Sequence, residues 1–129
     1  MTYLLDTHTL IWSQDDPDKL SKTVFAALGD PLNIRLLSAA TVCEIGIKVA
    51  LGKLRLSKPF RLWVNTAIQD LVLTELPIEL DHVGRMMAMP FHHRDPFDRM
   101  LAAQSLVLGI PVISNDTLLD AYGVVRVWI

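Results

Sequence analysis

Short apolar runs alternate along the chain with longer segments of helical periodicity. The apolar runs predict strands over residues 2–5, 33–37, 72–76, 111–114 and 124–129. Apolar positions recurring every three or four residues predict a helix beginning at residue 7 and further helices over residues 22–28, 38–51, 59–71, 79–87, 96–108 and 117–122. This alternation favours right-handed crossovers and a parallel sheet with helices on both faces. We therefore expect an α/β protein, a three-layer α/β/α sandwich around a short parallel sheet.

The sharpest predicted helix boundary lies at Asp95 and Pro96. Asp95 suits the N-cap, and Pro96 suits the first helical position because it lacks the N–H that this turn leaves unpaired. Asp98 then falls at the third helical position, where a carboxylate interacts favourably with the helix dipole. Capping alone accounts for both acids. A role for Asp98 as a metal ligand at the mouth of the helix requires further carboxylates elsewhere in the chain.

Three other acids are candidates for such a set. Asp6 follows the first predicted strand and Asp116 follows the strand over residues 111–114, although each also suits the N-cap of the next helix. Glu44 lies in an otherwise apolar helical segment, where an ionised carboxylate is costly unless it is paired or bound to a metal. An ion pair with Lys48, one turn later, is the structural alternative for Glu44.

A parallel sheet brings the four acids toward one edge, because ligands bind at the carboxyl ends of the strands where the strand order reverses. Clustered carboxylates repel one another, and a divalent cation relieves that repulsion. A ligand set made of oxygen atoms alone favours Mg²⁺ or Mn²⁺ over zinc. Such an ion activates water and stabilises charge on a phosphate, so a phosphodiester is the expected substrate.

Composition narrows the class of protein. Hydrophobic residues make up 51% of the 129 positions, which favours the burial of some apolar surface by a second copy or a bound peptide. The longest apolar run, over residues 36–51, is interrupted by Glu44 and Lys48, so no membrane-spanning segment is expected. The N-terminus lacks the basic-then-apolar pattern of a secretory signal. We expect a cytoplasmic protein with one domain over residues 1–129.

The net charge and the cysteine content say less about the class of protein than the hydrophobic fraction does. A net charge of -2 neither requires nor excludes a nucleic-acid partner. Cys43, the only cysteine, is expected to be a core residue, because the helix over residues 38–51 is apolar nearly all round.

His92 and His93 are adjacent, so their side chains point apart on an extended segment, and we interpret them as loop residues lining a site. Four basic residues are candidates for phosphate contacts: Lys48, Lys53, Arg55 and Arg99.

Four sequence blocks, in this order, resemble PIN-domain proteins, and most of all the VapC-type toxins of bacterial toxin–antitoxin pairs. The blocks are LLDTH at residues 4–8, SAATVCEI at residues 38–45, DPFDRMLAAQ at residues 95–104 and SND at residues 114–116. The resemblance covers essentially the whole chain. It implies a PIN-like α/β/α sandwich and a metal-dependent endoribonuclease, homodimeric and inhibited by a VapB-type antitoxin whose C-terminal segment blocks the site.

The resemblance also implies which residues form the site. The acidic ligands of Mg²⁺ or Mn²⁺ would be Asp6, Glu44, Asp98 and Asp116. Thr7 and Asn115 match positions that support the site by hydrogen bonding, and Asp95 is assigned to the N-cap beside it. His8 stands where other PIN branches have an asparagine.

Three other classes of protein are alternatives to the nuclease. The most serious is a non-catalytic PIN-like module that binds RNA or a protein, and the presence of all four acids argues against it. A receiver domain requires a phospho-accepting aspartate after the third strand and a late lysine, but no lysine follows Lys58. A haloacid-dehalogenase-like phosphatase requires a second aspartate two residues after Asp6, where this chain has His8.

Overall fold

The sheet has five parallel strands in the computed structural model, which describes residues 1–129. The strands are β1 (Thr2–Leu5), β2 (Ile34–Ser38), β3 (Thr74–Leu76), β4 (Val112–Ile113) and β5 (Arg126–Val127). Their spatial order is β3-β2-β1-β4-β5. The chain moves outward from β1 through β2 to β3 and then returns to the other side of β1, so the strand order reverses between β1 and β4. In a parallel sheet this reversal opens a crevice at the carboxyl ends of those two strands.

Six α-helices connect and cover the strands. They are α1 (Thr7–Asp15), α2 (Lys22–Gly29), α3 (Ala39–Ala50), α4 (Phe60–Leu71), α5 (Leu80–Ala88) and α6 (Pro96–Leu108). Two short 3₁₀ helices cover Pro17–Lys19 and Thr117–Tyr122. The second of these was predicted as a helix, whereas the first lies in a segment interpreted as a loop. None of the helices combines the length and apolar character that crossing a lipid bilayer requires.

Successive residues of the central strands point to opposite faces of the sheet and build two cores. Leu5 of β1 and Ile113 of β4 pack on one face with residues of α1, α2, α3 and α4, among them the fully buried Trp63. Leu4 and Val112 pack on the other face, chiefly with α6. Helices therefore lie on both sides of one parallel sheet, and the predicted three-layer α/β/α sandwich is confirmed.

The expectation that α3 is buried on most sides is wrong. Its inner face buries Glu44 and Ile45, but Cys43 is exposed, Ile47 is 45% exposed and Leu51, just after the helix, is 63% exposed. The spacing of four residues places these three side chains on one face, which the sheet and the neighbouring helices do not cover. We call Cys43, Ile47 and Leu51 the α3 stripe.

Candidate active site

Asp6 lies at the carboxyl end of β1, where the strand order reverses. Its carboxylate accepts a hydrogen bond from the Thr9 backbone N–H at 2.9 Å, which caps α1, and a second from the Ser114 hydroxyl. The Ser114 hydroxyl oxygen in turn accepts from the Asp116 backbone N–H at 3.0 Å. Burial raises the pKa of Asp6, although the bonds from Ser114 and Thr9 oppose this. Ser114 therefore joins the ends of β1 and β4 around a buried carboxyl group.

Glu44 enters the same edge from the buried face of α3. Its Oε1 atom accepts a hydrogen bond of 2.6 Å from the Thr7 hydroxyl, and its Oε2 atom lies 2.6 Å from Lys48 Nζ. The hydrogen bond to Glu44 raises the pKa of Lys48. The ion pair considered as a structural alternative for Glu44 is thus present, and it holds a charged carboxylate in a buried position.

Asp95 and Asp98 lie at the start of α6. One carboxylate oxygen of Asp95 accepts hydrogen bonds from the backbone N–H groups of Phe97 at 2.8 Å and of Asp98 at 3.3 Å. Asp95 is therefore the N-cap, as predicted, and Pro96 is the first helical residue. With its own N–H held by the cap, Asp98 directs its carboxylate toward the edge of the sheet and to the ring of His93.

His93, Asp98 and Asp116 form a compact group whose potential ligand atoms all lie within 4.8 Å of one another. His93 Nε2 is 2.9 Å from Asp116 Oδ2 and 3.1 Å from Asp98 Oδ2. The other oxygen of Asp116 accepts from the Leu118 backbone N–H at 3.0 Å, which caps the second 3₁₀ helix. Asp116 is thus both the cap predicted from the sequence and a member of this group.

The acids at this edge disturb one another electrostatically. Burial, followed by repulsion from Asp95 and Glu44, raises the pKa of Asp98 to about 7, while His93 opposes the shift. Burial is the main cause of this raised pKa, and the neighbouring carboxylates add a repulsion that a bound cation would relieve. The donor set and its charge therefore fit a hard divalent ion such as Mg²⁺ or Mn²⁺.

The predicted site residues do not all form one group. Asp98 and Asp116 meet around His93, whereas Asp6 and Glu44 lie outside that group, although the charge of each contributes to the raised pKa of Asp98. Thr7, predicted as a supporting residue, donates to Glu44. Asn115 is exposed, and the neighbouring Ser114 makes the buried hydrogen bonds expected of a supporting residue.

Two features of the site were missed or misassigned from the sequence. His93 was interpreted as a loop residue lining a site, but the bridge that its ring makes between two carboxylates was not predicted; the exposed His92 ring lies outside this group and packs on Tyr122 at 5.2 Å. Arg99 was a candidate for phosphate contact, but it is 4% exposed and donates to the carbonyl oxygens of Pro90 and Met86. The HHRDPFD spacing was the available signal for His93, since it places a histidine two residues before the cap.

Comparison with known proteins identifies relatives by sequence pattern and by fold. The family described as PIN domain matches residues 3–125. VapBC2 from Rickettsia felis, solved with a DNA fragment from its promoter, matches with a TM-score of 0.76 and 10% identity over 100% of both chains. Mycobacterium tuberculosis VapC20, a toxin that cleaves the sarcin-ricin loop, matches with a TM-score of 0.69 and 16% identity over 98% of this chain and 99% of that one.

A third similar structure is FitAcB from Neisseria gonorrhoeae, with a TM-score of 0.65 and 20% identity over 96% of this chain and 95% of that chain. No curated protein sequence matches significantly. At these identities the structural matches establish a shared fold over almost the entire chain.

Proposed function

Because the chain belongs to the PIN domain family, we propose that it is a metal-dependent endoribonuclease that acts as the VapC-type toxin of a toxin–antitoxin pair. The observation that carries this proposal is the convergence of Asp98 and Asp116 within 4.8 Å at the point where the strand order reverses. Asp6 and Glu44 add their charges to the same edge. A site of this composition suits hydrolysis of an RNA phosphodiester.

Asp6, Glu44, Asp98 and Asp116 would hold Mg²⁺ or Mn²⁺, with Thr7 and Asp95 in supporting positions and Ser114 in the supporting role that was expected of the exposed Asn115. When bound, the ion supplies Lewis-acid stabilisation of charge on the phosphate and lowers the pKa of water in its shell. The chain keeps its carboxylates in place through neighbouring donors. Ser114 and the Thr9 amide orient Asp6, Thr7 and Lys48 orient Glu44, and the Leu118 amide orients Asp116.

The same proposal extends to partners and location. The similar structures include VapBC2, FitAcB and VapC20, and the last of these is a toxin that cleaves the sarcin-ricin loop. We propose that a VapB-type antitoxin binds this chain and blocks its acidic edge, the edge of the sheet that carries Asp6, Glu44, Asp98 and Asp116. We also propose that the chain forms a homodimer and acts in the cytoplasm. The exposed α3 stripe is apolar surface that such partners would cover.

The first test is cleavage of a mixed pool of structured RNAs by the purified chain without antitoxin. We expect cleavage with Mg²⁺ or Mn²⁺ and none with EDTA. Asp98→Asn removes a ligand charge and should lower the rate by about 100-fold or more. The matched control is Asp18→Asn, which makes the same chemical change at an exposed position on the first 3₁₀ helix. It should cleave like the wild type.

The alternative outcomes separate the two functions. RNA binding without cleavage under any metal would replace the nuclease by a non-catalytic PIN-like binding module. Undiminished cleavage by Asp98→Asn would remove Asp98 from the site and leave the nuclease activity itself established.

A further inference from the structure

The ring of His93 occupies the space between the two closest carboxylates of the site. Its Nε2 atom lies 2.9 Å from Asp116 Oδ2 and 3.1 Å from Asp98 Oδ2, and its side chain is only 12% exposed. A histidine in this place has two possible roles. It is either a nitrogen ligand for the ion or a hydrogen-bond donor to the carboxylates, and the two roles require opposite placements of the ring proton.

The other ring nitrogen decides between these roles. Nδ1 of His93 accepts a hydrogen bond from the Asp95 backbone N–H at 3.2 Å, so Nδ1 carries a lone pair. The proton of the neutral ring is then on Nε2, where it faces both carboxylate oxygens. Histidines that bind a metal ordinarily show the reverse arrangement, in which the nitrogen away from the ion donates its N–H to an acceptor. Metal binding through Nε2 would move the proton to Nδ1, against the N–H of Asp95.

The backbone around His93 is fixed from outside the acidic group. The His93 N–H donates to Tyr122 Oη at 2.8 Å, and the same oxygen accepts from Arg99 Nη1 at 3.1 Å. Arg99 is buried and also donates to the carbonyl oxygens of Pro90 and Met86. Tyr122 and Arg99 thus anchor the segment that carries His93 and hold its ring against the two carboxylates.

We propose that His93 is a positioning residue whose Nε2–H group bridges Asp98 and Asp116 and competes with a metal ion for their Oδ2 oxygens, and that it is not a metal ligand. The inference rests on the proposed function, because it concerns the same metal site. Two opposite effects of removing the ring follow. Without the bridging donor the two carboxylates repel each other and the protein unfolds more easily in EDTA, whereas an ion meets no competitor for their oxygens and binds more tightly.

The test measures Mn²⁺ affinity by electron paramagnetic resonance and the thermal unfolding midpoint in EDTA for the same proteins. His93→Ala should bind Mn²⁺ about tenfold more tightly, the size expected when one charge-assisted hydrogen bond no longer has to be displaced. Its unfolding midpoint in EDTA should fall. His93→Gln keeps an N–H donor and should lie between His93→Ala and the wild type. Tyr122→Phe loses the anchoring hydroxyl and should shift both quantities in the same directions, but less.

The matched control is His92→Ala, which removes the adjacent, exposed imidazole that packs on the Tyr122 ring and is not part of the group formed by His93, Asp98 and Asp116. It should leave Mn²⁺ affinity unchanged. A merely structural role of His93 would lower the unfolding midpoint without raising Mn²⁺ affinity, and that result would overturn the proposal.

Two spectroscopic measurements test the proton placement directly. Long-range ¹H–¹⁵N correlation spectra in EDTA, above neutral pH, should show the proton of the His93 ring on Nε2. Electron spin-echo modulation of bound Mn²⁺ should show no directly coordinated ¹⁴N. Weaker Mn²⁺ binding by His93→Ala together with a ¹⁴N coupling in the wild type would make His93 a ligand while leaving the metal nuclease intact. No Mn²⁺ binding by any of the proteins would instead overturn the proposed function, and the competition proposed here with it.

Discussion

Asp98 is held in a position that favours its charge in one respect and disfavours it in others. The start of α6 offers the positive end of a helix dipole, but burial and repulsion from Asp95 and Glu44 raise the pKa of Asp98 to about 7. Its pKa in the folded chain is therefore above the ordinary value of 3.8. The folded state binds this proton more tightly than the unfolded state, so stability present below pH 3.8 is lost as the pH rises toward 7.

Because the pKa of Asp98 is raised, we predict that Asp98→Asn stabilises the protein in EDTA at a pH above that pKa and not at a pH well below it. At about pH 8 the free energy of unfolding should rise by about 1–2 kcal/mol, a value reduced from the full shift because the carboxyl is partly exposed. At about pH 4 the wild-type carboxyl is protonated when folded, so the gain should be close to zero. Urea unfolding at the two pH values measures both. An equal gain at both would show that the effect does not come from the charge.

Lys48 provides a second prediction at the residue scale, because it is the charge partner of a buried acid. Its ammonium lies 2.6 Å from Glu44 Oε2, and the Glu44 side chain is 3% exposed while that of Lys48 is 36% exposed. Lys48→Met leaves Glu44 charged, buried and unpaired on that oxygen. The free energy of unfolding should fall by about 1–2 kcal/mol, below the full cost of breaking a buried pair because the lysine reaches solvent.

Urea unfolding of a double-mutant cycle checks the origin of that loss. Glu44→Gln combined with Lys48→Met should cost less than the sum of the two single changes. Lys53→Met, at an exposed lysine just after α3, should cost close to nothing. Additive losses in the cycle would show that the two side chains act independently.

At the scale of single elements, the sequence predicted the helix starts well because capping depends on neighbouring residues. Asp95, Ser38 and Ser21 each accept a hydrogen bond from the backbone of the helix that they precede, and Pro96 begins α6 as predicted. Strand ends were predicted less well. The strand over residues 111–114 is reduced to Val112–Ile113, because β4 pairs with β1 at only two positions. The length of a strand depends on its partner, which lies elsewhere in the chain.

The burial of α3 likewise depends on elements elsewhere in the chain, so the local sequence did not predict which of its faces is exposed. Its composition is apolar on nearly every side, and nothing in the local sequence says which sides the other elements will cover. In the structure Glu44 and Ile45 face inward, and the α3 stripe remains exposed. Composition therefore identified an apolar helix, while its exposed face depends on how the three layers assemble.

In the candidate site, too, some residues could be predicted from the sequence and others could not. Asp6 and Asp116 follow strands, and the reversal of strand order between β1 and β4 brings the two strand ends to one edge, as expected of a parallel sheet. The position of His93 depends instead on a loop whose path is set by a hydrogen bond to Tyr122, 29 residues further along the chain. No periodicity or capping rule carries that information.

At the scale of the whole molecule, α3 connects the acidic edge to the exposed apolar surface. Its inner face supplies Glu44 to the site, and its outer face carries the α3 stripe. The hydrophobic fraction of 51% suggested a covered surface, and the stripe gives that suggestion a location. A partner bound there would lie on the same helix that positions one of the four acids.

We therefore predict that the purified chain is a dimer that buries the α3 stripe, and that Ile47→Glu shifts it toward the monomer. A charge at this 45% exposed position costs little in the folded monomer but is expensive in an apolar interface. Light scattering at micromolar concentration should give a dimer mass for the wild type and for Leu32→Glu, the matched change at a residue that is 86% exposed outside the helices. A monomer mass for the wild type would contradict the dimer. A dimer that persists in Ile47→Glu would place its interface away from α3.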